Sequence, residues 1–287
     1  LSFIGVILLM PFKFVSCDGW PFLFNQKNSI NIWFGGTELK ISKEFKDLKN
    51  NYVTASTIFT PTDRLIQFYP SYLINVKKFD NPKIVIAMSI RSDGDKISMN
   101  LWKKNKDTII KNISILENKN FWGMGEISNL SVNEKHKIYM NIKSLVRLEL
   151  LKAIKENFKE KCILIGDDIK KIYPEAIKSN FKKGFLQSFY KGNICIDFLA
   201  KDGEQALYPR SIEIIENGGI LTQVKSNYSK QLFEIYEKDL IFNEYNEMLE
   251  VLSKLLNNNN LDQISNFFQS KFKINKYNEN TFNEVFK

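Results

Sequence analysis

Short apolar runs alternate with helix-like segments along most of the chain after residue 80. Continuous β-rich apolar runs occur at 83–90, 162–166, 194–200, 220–224 and 240–243. Segments with helical spacing or helix-end signals occur at 131–158, 185–193, 209–217, 229–239 and 245–258. Strands that are apolar on both faces and alternate with helices are typical of parallel sheets. The pattern therefore predicts an α/β fold in which helices cover both faces of a parallel sheet.

Other parts of the chain do not repeat this unit. Residues 1–80 are rich in aromatic residues and turn signals, and residues 99–130 give no clear pattern. Residues 91–98 predict a polar loop, and residues 262–273 predict a final helix. We therefore expect three parts: a smaller N-terminal region over 1–80, the α/β domain over 81–260 and a C-terminal helical tail over 261–287.

The chain opens with its one membrane-like stretch. Its unbroken apolar run is about ten residues long and Pro11 interrupts it, whereas a spanning helix needs about 20 residues. No basic segment precedes the run, so the stretch predicts a buried strand and neither a transmembrane segment nor a signal peptide. Because the chain begins with leucine, we expect an incomplete or trimmed N-terminus.

The positive charge of the chain comes almost entirely from lysine. The 287 residues include 41 Lys and Arg against 32 Asp and Glu, a formal charge of +9. The four arginines are Arg64, Arg91, Arg147 and Arg210. Lysine and asparagine are abundant together, which indicates a biased coding composition, whereas nucleic-acid readers cluster arginine with aromatic residues. We expect no nucleic-acid partner. An arginine kept in a lysine-rich chain indicates either a position that needs the planar fork or an arginine that serves packing.

Residues that commonly bind metals or act as nucleophiles give little signal. Cys17, Cys162 and Cys195 are far apart, and the last two lie in apolar runs as small buried side chains do. Without a CxxC or HExxH pattern, we expect no metal site and a reducing, cytoplasmic location. Asp93-Gly94-Asp95 has the form of a DxD metal–diphosphate motif, but these residues also form ordinary turns, and we favour the turn. Asp167-Asp168 likewise predicts a turn or a helix cap.

The stretch YPRSIEIIENGGILTQ, residues 208–223, predicts a short capped helix followed by a strand. Pro209 suits the first turn of a helix, where its missing N–H has no partner to lose. One glycine of the pair Gly218-Gly219 supplies the left-handed residue that ends a helix. Helix start and helix end explain Pro209 and the glycine pair. They do not explain Arg210 and Glu213 in the first turns of the helix.

Loops at the carboxyl ends of the predicted strands form a candidate site, since ligands of open parallel sheets bind there. Free N–H groups at a helix start, with two arginines beside them, suit a diphosphate, each charge-assisted bond contributing about 1.5–3 kcal/mol. An acidic residue one turn into such a helix is able to bind a ribose diol. The candidate residues are Arg91 and Arg210 for the reaction, and Pro209, Ser211, Glu213, Gly166 and Gly203 for binding the ligand.

The run DGEQALYPRSIEIIENGGILTQ, residues 202–223, resembles the nucleotide-sugar motif of glycosyltransferases with the two-domain GT-B fold. It is most similar to the CgeB-like branch of the family-one glycosyltransferases. Pro209-Arg210, Glu213 and a glycine of the pair Gly218-Gly219 stand at the motif positions. The upstream acid of the family falls on Gln205 here, with Glu204 one position away, so this chain departs from the pattern at that point. The resemblance covers about 83–255.

This resemblance implies a Rossmann-like nucleotide-sugar-binding domain of a hexosyltransferase-like enzyme. The donor would be a nucleotide-diphosphate sugar, no cofactor or metal would be needed, and the acceptor would be a glycan or a lipid-linked molecule facing residues 1–80. The resemblance places Glu213 on the donor ribose and Arg210 near its phosphates, and it matches Arg91 to a basic residue that follows the first strand. Residues 1–80 match the family much less and are short for a full acceptor domain.

Other interpretations stay open at this point. A non-catalytic Rossmann-like nucleotide- or glycan-binding protein would also explain the displaced upstream acid. His136, the single histidine, lies on a polar helix face where we expect it to be solvated, which leaves no obvious histidine base. Glu213 also suits a first-turn acid favoured by the helix dipole. We expect Arg147, in the middle of a predicted helix, to be structural.

Overall fold

A five-stranded sheet in which all neighbouring strands are parallel organises the chain. The computed structural model describes residues 31–33, 51–53, 72–76, 78–90, 94–180, 184–198, 209–226, 229–258 and 260–272. The sheet contains β3 (Ile84–Ala87), β4 (Cys162–Ile165), β5 (Ile194–Asp197), β6 (Ile220–Val224) and β7 (Ile241–Phe242), in the order β4-β3-β5-β6-β7. A separate parallel pair consists of β1 (Asn31–Trp33) and β2 (Asn51–Val53).

Helices connect these strands. They are α1 (Lys96–Lys111), α2 (Lys119–Trp122), α3 (Val132–Phe158), α4 (Asp167–Ile172), α5 (Gln187–Tyr190), α6 (Pro209–Glu216), α7 (Ser229–Phe233), α8 (Glu237–Leu240), α9 (Tyr245–Asn257) and α10 (Leu261–Lys271). Short 3-10 turns occupy Ile113–Glu117, Gly125–Ile127, Lys159–Lys161 and Glu234–Tyr236. All four residues of β3 and all four of β5 are buried, as expected of central strands covered on two faces. The predicted parallel α/β sheet flanked by helices is confirmed.

The order of the strands reverses next to β3. The chain moves from β3 outward to β4, then returns past β3 to β5 and continues outward to β7. Because parallel crossovers are right-handed, this reversal puts α3 and α6 on opposite faces of the sheet. A parallel bridge between Ile165 and Ile177 adds one residue of a further strand outside β4. The sheet is therefore Rossmann-like, with a switch point between β3 and β5.

The predicted polar loop over residues 91–98 is wrong at its end, because α1 begins at Lys96. The helix starts there because the Asp95 side chain accepts a hydrogen bond from the Ser98 N–H at 2.8 Å. Asp95 also accepts from the Ser98 hydroxyl and from the side-chain amide of Asn141 on α3. The second acid of the DxD-like run is thus a helix cap, where the sequence favoured a turn, and Asp93 lies outside the described residues.

The unit includes chain on both sides of the predicted 81–260 domain. The backbone N–H of Ile74 donates to the Glu216 carbonyl at the end of α6, and the Gln269 amide donates to the Ile74 carbonyl. Helix α10 buries four side chains, Leu261, Ile264, Ser265 and Phe268. The segment 72–76 and the helix predicted as a tail therefore pack on the same core as the sheet.

Gly218 ends α6 in the manner predicted for one member of the glycine pair. Its φ is +74°, and its N–H donates to the Ile215 carbonyl while the Gly219 N–H donates to the Ile214 carbonyl. These two hydrogen bonds form a Schellman motif, which satisfies carbonyls that a helix end would otherwise leave unpaired. The pattern of the sequence identified the pair, and the backbone selects Gly218 as its left-handed member.

Neither glycine of the pair has room for a side chain. A Cβ at Gly218 would lie 2.6 Å from Cγ2 of Val76 and 2.9 Å from the carbonyl oxygen of Ile74. A Cβ at Gly219 would lie 2.9 Å from Sγ of Cys195. The pair therefore lets the end of α6 pack directly against the segment 72–76 on one side and β5 on the other.

We expect Gly218→Ala to destabilise the chain more than Gly94→Ala. Gly94 also has a left-handed φ, +62°, but no atom lies within 4 Å of its Cβ position. Both variants carry backbone strain of about 1–2 kcal/mol, and overpacking at Gly218 adds about 1–3 kcal/mol. Urea unfolding of the two variants measures the difference. Equal losses of unfolding free energy would show that segment 72–76 does not pack against this turn.

Candidate functional site

The switch point brings the start of α6 to the carboxyl ends of the two central strands. Strand β3 ends at Ala87 and β5 ends at Asp197, and the chain enters α6 at Pro209 after leaving β5. Crevices of this kind bind ligands because the adjoining loops separate there, and a helix N-terminus contributes free N–H groups and partial positive charge. Residues of α6 and of the strand ends therefore define the candidate site.

Arg210 reaches from α6 to the end of the neighbouring strand. Its Nη1 donates to the carbonyl of Ala87 at 2.7 Å, and its side chain is half-buried. This hydrogen bond fixes the guanidinium over the end of β3 while its charge stays partly accessible. The structure thus places this predicted site residue at the switch point.

Arg147 approaches the same strand end from the opposite face. From the middle of α3, its Nε donates to the Phe198 carbonyl at 3.2 Å and its Nη1 to the Ser89 carbonyl at 3.3 Å. It therefore joins the ends of β3 and β5 as a structural residue would, and it also brings a second positive charge to the crevice. Sequence reasoning assigned only the first role. The scarcity of arginine was the signal that could have suggested the second.

Glu213 lies one turn into α6, beside Arg210, and is half-buried. Burial raises the pKa of the Glu213 carboxyl above its ordinary value, while the charge of Arg210 and a side-chain hydrogen bond from Gln187 oppose that rise. The nearby charge of Glu216 raises the pKa further. A carboxylate held in partly desolvated surroundings gains from any additional hydrogen-bond donor, so this position suits a ligand that carries hydroxyl groups.

Two other predicted residues have clear packing roles. Ser211 is buried, and its hydroxyl donates to the carboxylate of Asp197 at the end of β5. Gly166 lies between β4 and α4, where a Cβ would be 2.4 Å from the carbonyl oxygen of Met88. Both residues therefore shape the carboxyl edge of the sheet. Their direct contact with a ligand stays a prediction.

The remaining candidates from the sequence lie outside the described residues or at the starts of α6 and α4. Arg91 and Gly203 lie outside the described residues, and Pro209 begins α6 as predicted. Asp167 and Asp168 form the first turn of α4, whose N-cap is Gly166 without a side-chain capping bond, so neither acid is the predicted cap. Asp168 accepts hydrogen bonds from the Ser89 hydroxyl at 3.1 Å and from the Lys171 ammonium at 3.2 Å.

The two cysteines and the histidine of the described residues are partly or fully buried. Burial raises the pKa of Cys162 to about 11, and the fully buried Cys195 also has a raised pKa, so neither thiol forms a thiolate readily. His136 is half-buried with its ring 6.3 Å from that of Tyr139, so the expectation of a solvated histidine is wrong.

The residues with assigned positions contain no group of three or more His, Cys, Asp or Glu that could hold a metal ion. None of the helices in that part of the chain is both long and apolar enough to cross a membrane.

Comparisons of the chain with protein-family models, with curated proteins and with solved structures find no match in any of the three.

We expect Glu213→Gln to stabilise the protein at neutral pH. Because the folded form binds a proton at Glu213 more tightly than the unfolded chain does, ionisation lowers stability as the pH rises from the ordinary pKa through the raised one. Glutamine removes this penalty and keeps the ability to bond Gln187. The advantage of the variant should therefore vanish below about pH 4, where the Glu213 carboxyl of wild type is protonated in both the folded and the unfolded chain.

Urea unfolding at several pH values measures this difference. Glu250→Gln, at an exposed position of α9, is the control for loss of one carboxylate from a helix surface. A Glu213→Gln variant that is less stable than wild type at neutral pH would show that the carboxylate is held by favourable contacts and not by burial.

Proposed function

We propose that the chain is a glycosyltransferase of the GT-B type, similar to the CgeB-like branch, and that this crevice holds the nucleotide-sugar donor. The observation that carries the proposal is the position of Arg210 and Glu213. They lie on the first two turns of a helix that starts at the switch point of a parallel sheet, with Arg210 bonded to the end of the central strand. The motif that predicted them from the sequence needs this arrangement.

The charges at the crevice fit a diphosphate better than a neutral ligand. Arg147 and Arg210 approach the end of β3 from opposite faces, and the N-terminus of α6 adds its partial positive charge. A departing nucleoside diphosphate gains negative charge as the sugar–oxygen bond breaks. Fixed positive groups that face the developing charge stabilise that transition state more than the ground state, which is usually the largest contribution in such sites.

Glu213 supports a nucleotide as the carrier of that diphosphate. A half-buried carboxylate one turn beyond the phosphate-binding end of the helix is placed to accept hydrogen bonds from a ribose. Under this proposal, the donor sugar extends from the diphosphate toward an acceptor, a glycan or a lipid-linked molecule, that residues 1–80 help to bind. The reaction takes place in the cytoplasm.

Arg210→Ala should reduce sugar transfer about 10–100-fold, the effect of losing one charge-assisted hydrogen bond. Arg210→Lys should restore part of the loss, because lysine keeps the charge but not the fork.

The first measurement is donor binding, detected by thermal unfolding in the presence of UDP, GDP, CDP and dTDP and their sugars. A ligand at 100 times its Kd stabilises the chain by about 2.7 kcal/mol. Release of nucleoside diphosphate from the stabilising sugar nucleotide then reports turnover.

Loss of the Ala87 contact alone could also weaken the fold, so a matched control is needed. Thr222→Val removes a hydroxyl of β6 that donates to the buried Leu240 carbonyl at 2.6 Å, without changing charge. It should reduce stability and leave turnover of the folded protein unchanged. Equal turnover in wild type and Arg210→Ala would contradict the proposal. Nucleotide binding without turnover in wild type would favour the non-catalytic alternative, and a thermal shift lost in EDTA would favour a metal-dependent site.

A further inference from the structure

Tyr190 carries a polar group that the folded chain leaves unsatisfied. The residue ends α5, is 1% exposed, and its hydroxyl makes no hydrogen bond among the described residues. A buried hydroxyl without a partner destabilises a protein, so a group of this kind calls for an explanation. Its location provides one, because α5 packs against α6.

Tyr190 lies three residues after Gln187, the α5 residue whose side chain hydrogen-bonds Glu213 of α6. The backbone of Tyr190 touches the end of this helix, its carbonyl oxygen being 3.1 Å from the Cβ position of Gly219. Burial raises the pKa of the Tyr190 phenol, the charge of Glu213 raises it further and the charge of Arg210 lowers it. The phenol is therefore within electrostatic reach of both side chains, although no hydrogen bond joins it to either.

The chemistry of these groups selects one kind of ligand. The Glu213 carboxylate accepts hydrogen bonds, and the Tyr190 phenol is able to donate one and accept another. A single hydroxyl placed between them would donate to Glu213 and accept from Tyr190, which satisfies both at once. An anionic group would be repelled by Glu213, and Arg210 beside them already marks the phosphate end. A sugar diol, one turn of helix away from a diphosphate, fits this order of groups.

We propose that Tyr190 and Glu213 together bind the ribose diol of the donor, and that Tyr190 makes the site selective for ribonucleotides over deoxyribonucleotides. The inference rests on the proposed function, since it assigns the part of the nucleotide that each residue contacts. A site whose buried polar groups pair with a substrate hydroxyl rejects analogues that lack it, because those groups are then left unpaired.

Titration calorimetry with wild type and Tyr190→Phe tests the assignment. The ligands are UDP, GDP, CDP and dTDP, then the 2′-deoxy and 3′-deoxy forms of the ribonucleotide that binds most tightly. Tyr190→Phe should weaken binding of that ribonucleotide about tenfold, the loss of one hydrogen bond. For the analogue that lacks the contacted hydroxyl, wild type and variant should bind equally. Glucose 1-phosphate, which has a sugar diol but no ribose, should show no dependence on Tyr190.

Controls separate this inference from a general loss of structure. Tyr173→Phe, at a half-buried tyrosine next to α4, should leave all affinities unchanged. Without ligand, Tyr190→Phe should be at least as stable to urea as wild type, because it deletes an unsatisfied hydroxyl. A clear loss of stability would show that the hydroxyl already has a partner, and would overturn the inference.

Three binding results would also overturn it. In the first, dTDP binds wild type more tightly than any ribonucleotide. In the second, Tyr190→Phe weakens binding of the ribonucleotide and of both deoxy analogues equally. In the third, Tyr190→Phe weakens binding of none of them. In each case nucleotide binding itself would stand, so the proposed donor site would survive. Failure of all four nucleotides to bind wild type would instead overturn the donor site and this inference together.

Discussion

The end of the central strand β3 sets the constraint that the rest of this site obeys. Where the strand order reverses, the chain leaves the sheet after β3. The last carbonyls at that end then need hydrogen-bond donors other than the neighbouring strands. Arg210 donates to Ala87, and Arg147 donates to Ser89. Between them, the carbonyl of Met88 is approached so closely by Gly166 that no side chain fits there. Three consecutive residues are thus held from both faces of the sheet and from its edge strand.

This constraint explains how the two arginines hold the strand ends and also fix charge at the crevice. A guanidinium that satisfies a strand-end carbonyl is held in one place, and its remaining charge is then fixed at the mouth of the crevice. Arg147 shows why lysine would not serve, since its Nε and Nη1 bond two carbonyls on different strands in one plane. In a chain that uses lysine almost everywhere else, these positions are where the planar fork is needed. Preorganised charge of this kind is what an anionic ligand would use.

Local features of the fold could be read from the sequence, and features set by distant residues could not. The runs that form β4 and β6, the start of β5 and the Gly-Gly end of α6 depend on neighbouring residues and were predicted within one position. The start of helix α1 was missed because it depends on Asp95, and the run Asp93-Gly94-Asp95 resembles a turn. The contact between Arg147 and Phe198 joins residues 51 positions apart, and helical spacing alone gives no sign of it. The unsatisfied hydroxyl of Tyr190 was invisible for the same reason, since aromatic residues at such positions usually pack in the core.

Tyr190 departs from the rule that buried polar groups pair with one another, and Glu213 stays partly desolvated although it accepts a hydrogen bond from Gln187. Burial raises the pKa of both groups, and each would be easier to bury as an apolar side chain. Elsewhere in the same unit, comparable groups are fully paired, as Ser211 is with Asp197 and Thr222 with Leu240. Local conflict of this kind beside a crevice is a pattern expected of a binding site. Under the proposed function, the first two turns of α6 and the end of α5 would be organised around a ligand, with its anion at Arg210 and its hydroxyl groups at Glu213.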